Sequence, residues 1–199
     1  MNRLTSFIHF HNSKATTLDV ILHGGSGGID SPFMQKLFEH SKSKGNSVIM
    51  FNFPFLERGE DHSSGPELKE ELKMLKQMLI IANAEDYPLI RLIGKSFGAI
   101  VASYYLKSLS NKKHKKFEII ILGFVVGDVK LDNFTGKITV VQGKKDKFGS
   151  IEVVKEVMKD TGLKNITYYE IPKADHSFRD PETKEPLYED KVIHILSSL

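Results

Sequence analysis

Short apolar runs alternate with longer amphipathic ones along the chain. TLDVILH (17–23), SVIMFNF (47–53), LIRLIG (89–94), FEIIILGF (117–124), ITVVQG (138–143) and ITYYEI (166–171) have the length and composition of strands. Several are apolar on successive residues, as central strands of a parallel sheet are when both faces are covered. RLTSFIHFH (3–11) alternates more strictly and predicts an exposed edge strand. Between these runs, SPFMQKLFEHSKSKG predicts a helix capped by Ser31, with Pro32 in its first turn and a stop at Gly45. PELKEELKMLKQMLIIA (66–82) sets Leu68, Leu72, Leu75 and Leu79 on one face. Further helices are expected from Ser96, from Ser150 and from about Pro186. The alternation predicts an α/β fold: a mostly parallel, doubly wound sheet of about seven strands flanked by helices, in one domain over 1–199. In such a sheet, functional residues gather at the carboxyl ends of the strands.

One of those ends reads Gly94-Lys95-Ser96-Phe97-Gly98. The letters GKS suggest a phosphate loop, which needs a glycine five residues before Gly94. That position is Leu89, inside the strand, so no backbone loop is available to surround a phosphate. The alternative is the sharp strand-to-helix turn G-x-S-x-G, whose small flanks let the backbone pack tightly and present the serine. Leu89–Ile93 supply the strand and the run from Ala99 supplies the helix.

A serine nucleophile needs a base to take its proton and an acid to orient that base. Asp146 follows the strand ITVVQG, and His176 follows ITYYEI, giving the order Ser, acid, His. Asp128 and Asp175 are rival acids. Among the other histidines, His9 and His11 fall on the edge strand, and His40, His114 and His194 fall in helices or charged segments. His62 lies in a long loop where it could border a pocket. The oxyanion of an acyl-transfer intermediate requires backbone donors. The Phe97 N–H is one candidate, and the glycine-rich loop after the first central strand, HGGSGGIDSPF, offers Gly25 and Ser26. His23 is expected to brace that loop.

Composition narrows the picture. There is no cysteine, which excludes disulfides, thiolate metal sites and a cysteine nucleophile. The net charge of +3 arises in part from NKKHKK (111–116) and QGKKDK (142–147), the first read as a solvated loop. They lack interleaved aromatics, so no nucleic-acid partner is expected. No apolar run is long enough to span a bilayer, and MNRLTSFIHFHNSKATT lacks the core of a signal peptide, so a cytoplasmic protein without a membrane partner is expected.

HGG (23–25), GKSFGA (94–99), GKKDKFG (143–149) and ADHSF (174–178) together resemble the α/β-hydrolase superfamily over nearly the whole chain. The nearest likeness is to a small, capless subgroup that includes the hydrolase-like domains of a chromatin-complex regulatory subunit and a testis-expressed protein. MFNFPFLERG (50–59) adds to it. Dienelactone hydrolase is more distant, since it uses a cysteine. The sequence departs from the pattern at Ala99, where a further glycine is frequent, and carries Lys95 before the serine. Lys95 is expected to point to solvent; turned inward, its charge would favour an anionic substrate. The resemblance implies Ser96 as nucleophile, Asp146 as acid and His176 as base.

The resulting expectation is a serine hydrolase of small esters or thioesters, working through an acyl-enzyme without metal or organic cofactor. Only residues 123–137 stand where a cap would be inserted, so an open site with minimal or no cap is expected. Its walls are expected to include Phe55, Leu56, His62, Phe97, Phe148 and Phe178, favouring a small apolar acyl group. A peptidase or acyltransferase would share the triad, and a non-catalytic binding module would share the fold. A monomer is the default and a homodimer the alternative.

Overall fold

The computed structural model describes residues 6–61, 63–159 and 161–199. In chain order it contains β1 (Phe7–Phe10), β2 (Thr17–Leu22), α1 (Pro32–Ser43), β3 (Ser47–Phe51), α2 (Pro54–Glu57), α3 (Lys69–Ile81), β4 (Leu89–Lys95), α4 (Phe97–Lys107), α5 (Asn111–His114), β5 (Phe117–Leu122), β6 (Lys137–Gly143), α6 (Ile151–Lys159), β7 (Ile166–Ile171) and α7 (Glu189–Ser197). The seven strands form one sheet in the order β1-β3-β2-β4-β5-β6-β7. Only β1 is antiparallel, pairing Phe7 with Phe51 at the edge; every other pair is parallel.

Two cores cover the two faces, which is why the central strands are apolar without alternation. Leu18, Val20, Leu92 and Ile119 pack with α3, α4 and α6 on one face. Ile21, Met50, Ile93 and Ile120 pack with α1 and α7 on the other. After β3 the chain crosses back to β4 on the far side of β2. The carboxyl ends of β2 and β4 therefore diverge into a crevice, the point at which open α/β sheets hold their ligands.

Several boundaries differ from the sequence reading. The edge strand expected over 3–11 spans Phe7–Phe10 among the described residues, which exclude 1–5. The helix expected over 66–82 starts at Lys69 because Leu68, buried beneath it, holds a left-handed backbone with φ of 51°. The last helix begins at Glu189 rather than near Pro186. The run 111–116 is not simply a solvated loop: residues 111–114 form a helical turn that buries His114, whose Nε2 lies 3.1 Å from the Leu106 carbonyl. Residues 123–136, between β5 and β6, contain no helix, so no cap stands over the crevice at that point.

Candidate active site

The turn at the end of β4 is built by backbone contact. A Cβ on Gly94 would stand 2.5 Å from the Ala99 Cα, and one on Gly98 would collide with the Leu22 carbonyl oxygen. Without side chains at both flanks, α4 starts directly against the end of β2. Ser96 then takes a φ of 51° and ψ of −114°, a region a serine adopts only when its surroundings enforce it. Its hydroxyl is left half-buried at the N-terminal end of α4.

His176, in the loop after β7, meets that hydroxyl. Its Nε2 is 2.7 Å from Ser96 Oγ, and its Nδ1 is 2.7 Å from Asp146 Oδ2. An ionised carboxylate can only accept, so Nδ1 carries the proton and Nε2 accepts from the serine hydroxyl. The Asp146 side chain is fully buried while that of His176 is 13% exposed, so the carboxylate is sealed beneath the imidazole. The Phe148 N–H donates to Asp146 Oδ1 at 2.8 Å. The ring of Phe148 approaches the imidazole edgewise, with centroids 4.6 Å apart.

Asp146 has a further partner that sequence reasoning missed. Gln142, fully buried at the end of β6, donates to Asp146 Oδ2 at 2.9 Å and to the Gly149 carbonyl at 2.7 Å. Its Oε1 accepts from the Phe124 N–H at 2.7 Å. One amide thus ties the loop after β6 to the loop after β5. The available signal was a lone amide closing the apolar run ITVVQ, because a buried amide requires partners.

The rival acids lie elsewhere. Asp128 is exposed, and Asp175 spends Oδ1 on the N–H groups of Ser177 and Arg179, at 2.8 and 2.9 Å, folding the loop that bears His176. His23 is buried and braces the glycine-rich loop: Nε2 accepts from the Phe53 N–H at 2.9 Å, leaving Nδ1 to donate to the Gly24 carbonyl at 2.5 Å. Burial holds its pKa below the usual histidine value. Asn52 was also missed; its Oδ1 accepts from the Ile29 N–H at 2.9 Å and holds the other end of the same loop. Gly24 lies against the serine, such that a Cβ there would stand 3.7 Å from Ser96 Cβ, and Gly25 and Ser26 follow it, exposed, along the crevice. Among the described residues nothing accepts from the Phe97 N–H, the first of α4.

Two expectations are overturned. Lys95 does not point to solvent: it is 8% exposed, its Nζ donates to the His176 carbonyl at 2.8 Å, and it sits 5.6 Å from the centre of the Phe178 ring. Burial pushes its pKa down to about 8 against the opposing pull of Asp146 and Asp175. The aromatic pocket is also absent among the described residues. Phe55 and Phe178 are buried in the two cores, and Leu56 packs against the first. Phe97 is half-buried edge-on to Phe53 and Phe55, and Phe148 flanks the base from outside. His62 lies outside the described residues. The crevice beside Ser96 is instead a cavity of about 280 Å³ walled by residues 24–27, 31–34, Lys95, His176, Arg179 and Glu189. Among the described residues no group of three or more carboxylates and histidines is placed to hold a metal ion, and no helix is long and apolar enough to cross a membrane.

Residues 15–198 match the family of alpha/beta hydrolase domains. No curated protein matches the chain. Among solved structures, an alpha-beta serine hydrolase homologue from Coxiella burnetii superposes with a TM-score of 0.72 at 17% identity, over 96% of this chain and 89% of that one. A serine hydrolase without a lid from Xanthomonas campestris gives 0.72 at 15% identity, over 98% and 86%. An esterase from Pyrococcus furiosus gives 0.68 at 17% identity, over 98% and 87%. At these identities the structural likeness is one of fold.

Proposed function

The chain belongs to the alpha/beta hydrolase family, and from that premise we propose that it is a serine hydrolase of small carboxylic esters or thioesters. The observation that carries this reading is the unbroken chain from Asp146 through His176 to Ser96, with both links at 2.7 Å. A scaffold has no physical need for a buried carboxylate, an oriented imidazole and a strained serine in line. The esterase among the structural neighbours favours the ester as substrate class.

In this mechanism Ser96 Oγ attacks the carbonyl carbon while its proton passes to His176 Nε2. Asp146 holds the tautomer and stabilises the imidazolium. The carbonyl oxygen becomes an oxyanion, met by the free Phe97 N–H at the positive end of α4 and by the Gly25 N–H, with Ser26 beside it. Collapse expels the alcohol or thiol, which takes the proton from His176. Water then gives a proton to the same nitrogen and attacks the acyl carbon, and as the bond to Ser96 Oγ breaks that proton passes to Oγ and the acid is released.

The test is covalent labelling with a fluorophosphonate alongside Ser96→Ala and His176→Ala. Labelling of the wild type that disappears in both variants is expected, with ester turnover falling at least about 10³-fold in each. Undiminished labelling of Ser96→Ala overturns the assignment.

A further inference from the structure

The cavity beside Ser96 carries cationic groups that the hydrolytic chemistry leaves unused. Lys95 lines it from the floor. Of its three ammonium donors, one is accounted for by the His176 carbonyl, and among the described residues no carboxylate pairs with it. Arg179 lines the rim, exposed, and among the described residues its guanidinium has no ion-pair partner. Against these two cations the wall holds one carboxylate, Glu189, which shares Lys36 with Asp190, the Nζ standing 3.2 Å from the first and 2.9 Å from the second. Charge on the wall is therefore net positive.

The backbone adds to this. Residues 31–34, the N-cap and first turn of α1, form part of the same wall. That end has no side-chain cap and no acid in its first turn, and the Ser31 hydroxyl donates to the Gly28 carbonyl at 3.1 Å instead. The positive end of α1 thus faces the cavity with no side chain capping it. A buried cation without an ion pair destabilises a fold, and the one that persists here, Lys95, adjoins the nucleophile. At about 280 Å³ the space falls below the ~300–1,000 Å³ of pockets for drug-sized ligands, which restricts the occupant to a short chain.

We propose that this cavity is a carboxylate-binding subsite formed by Lys95 and Arg179, so that the preferred substrate is a short ester or thioester bearing a second, ionised carboxylate. The proposal rests on the serine-hydrolase reading and specifies its substrate class. The carboxylate takes charge-assisted hydrogen bonds from both side chains while its ester carbonyl reaches Ser96.

The test compares kcat/KM for monomethyl glutarate and methyl pentanoate, which differ in a carboxylate against a methyl, in the wild type, Arg179→Gln and Lys95→Met. The ratio is the readout, because Lys95 also holds His176 and its loss lowers turnover of both esters. A wild-type preference of about 10-fold or more for the charged ester is expected, falling toward one in each variant. No preference in the wild type, or an undiminished preference in both variants, overturns the proposal. Calorimetric titration with glutarate reads the subsite without turnover: binding that weakens about tenfold in Arg179→Gln supports it. Failure of the wild type to bind glutarate overturns it, even where both esters are hydrolysed. Competition by inorganic phosphate without any preference for the charged ester overturns the carboxylate assignment. Glutarate binding in a protein that resists fluorophosphonate would instead break the serine-hydrolase reading and leave the subsite standing.

Discussion

Two buried charges sit on the same face of the sheet and are treated in opposite ways. Asp19, near the start of β2, lies in register with Arg91 on β4, which approaches it at 3.2 Å, and Asn46 donates to it at 2.8 Å. Lys95, two residues beyond Ile93 on that same face of β4, has a neutral carbonyl and an aromatic ring. Asp19 is 1% exposed and Lys95 8%. The first charge is answered within the protein and needs nothing from outside. The second feels the pull of Asp146 and Asp175 but has no ion pair among the described residues, and it stands at the carboxyl end of the sheet, where the proposed substrate would arrive. The contrast separates a charge that serves the fold from one that the fold tolerates for function.

Replacing each charge sharpens the contrast. Lys95→Met removes a cation whose charged form burial disfavours, and we expect a gain of about 2 kcal/mol in urea unfolding at pH 7. The same variant loses its preference for the carboxylate ester, so stability and selectivity move in opposite directions. A loss of stability in Lys95→Met would mean that its bond to the His176 carbonyl outweighs its desolvation, and the contrast would fail.

A smaller effect is expected from pH. The folded-state pKa of Lys95 is about 8, below the ordinary 10.5. Between these values the unfolded chain holds a proton that the folded one has released, so this group makes stability rise with pH across that window. Below about pH 8 its penalty is present in full. Asp146 and Asp175 raise its pKa and Arg179 lowers it, each less than burial does. The urea midpoint of the wild type should therefore gain on that of Lys95→Met from pH 8 to 10. The preference for the charged ester should decline over the same range.

Asp19→Asn is expected to give the smallest change, under about 1 kcal/mol at pH 7, with turnover per folded molecule unaltered. Burial already holds the Asp19 carboxyl above its ordinary value despite Arg91 and Asn46. Arg91, 3.4 Å from Glu118, would retain a partner. A loss of several kcal/mol would show that the two charges are equally structural.

The sheet was legible because its strands are buried on both faces and so read as continuous apolar runs. Ser96, Asp146 and His176 were legible as candidates because each follows such a run, at a strand end the topology makes useful. Gln142 and Asn52 were not, since a single amide acquires meaning only from partners brought by distant loops. Lys95 could have been placed: period-2 alternation along β4 puts it on the side of Ile93, facing α1 and α7, rather than toward water. The pocket walls misled for a simpler reason. Phe55 and Phe178 follow strands and looked available, but large apolar rings near a crevice lower the free energy more by plugging the cores beneath it.

On the serine-hydrolase reading proposed above, the stretch 123–136, with no helix to roof the crevice, bears on what would become of an acyl group on Ser96. No helix from that stretch would screen such a bond from bulk solvent, so an acceptor would have to compete with water. Partitioning under those terms favours release of the free acid over transfer to an alcohol or amine. The short connection would thus bias the outcome of the second half-reaction.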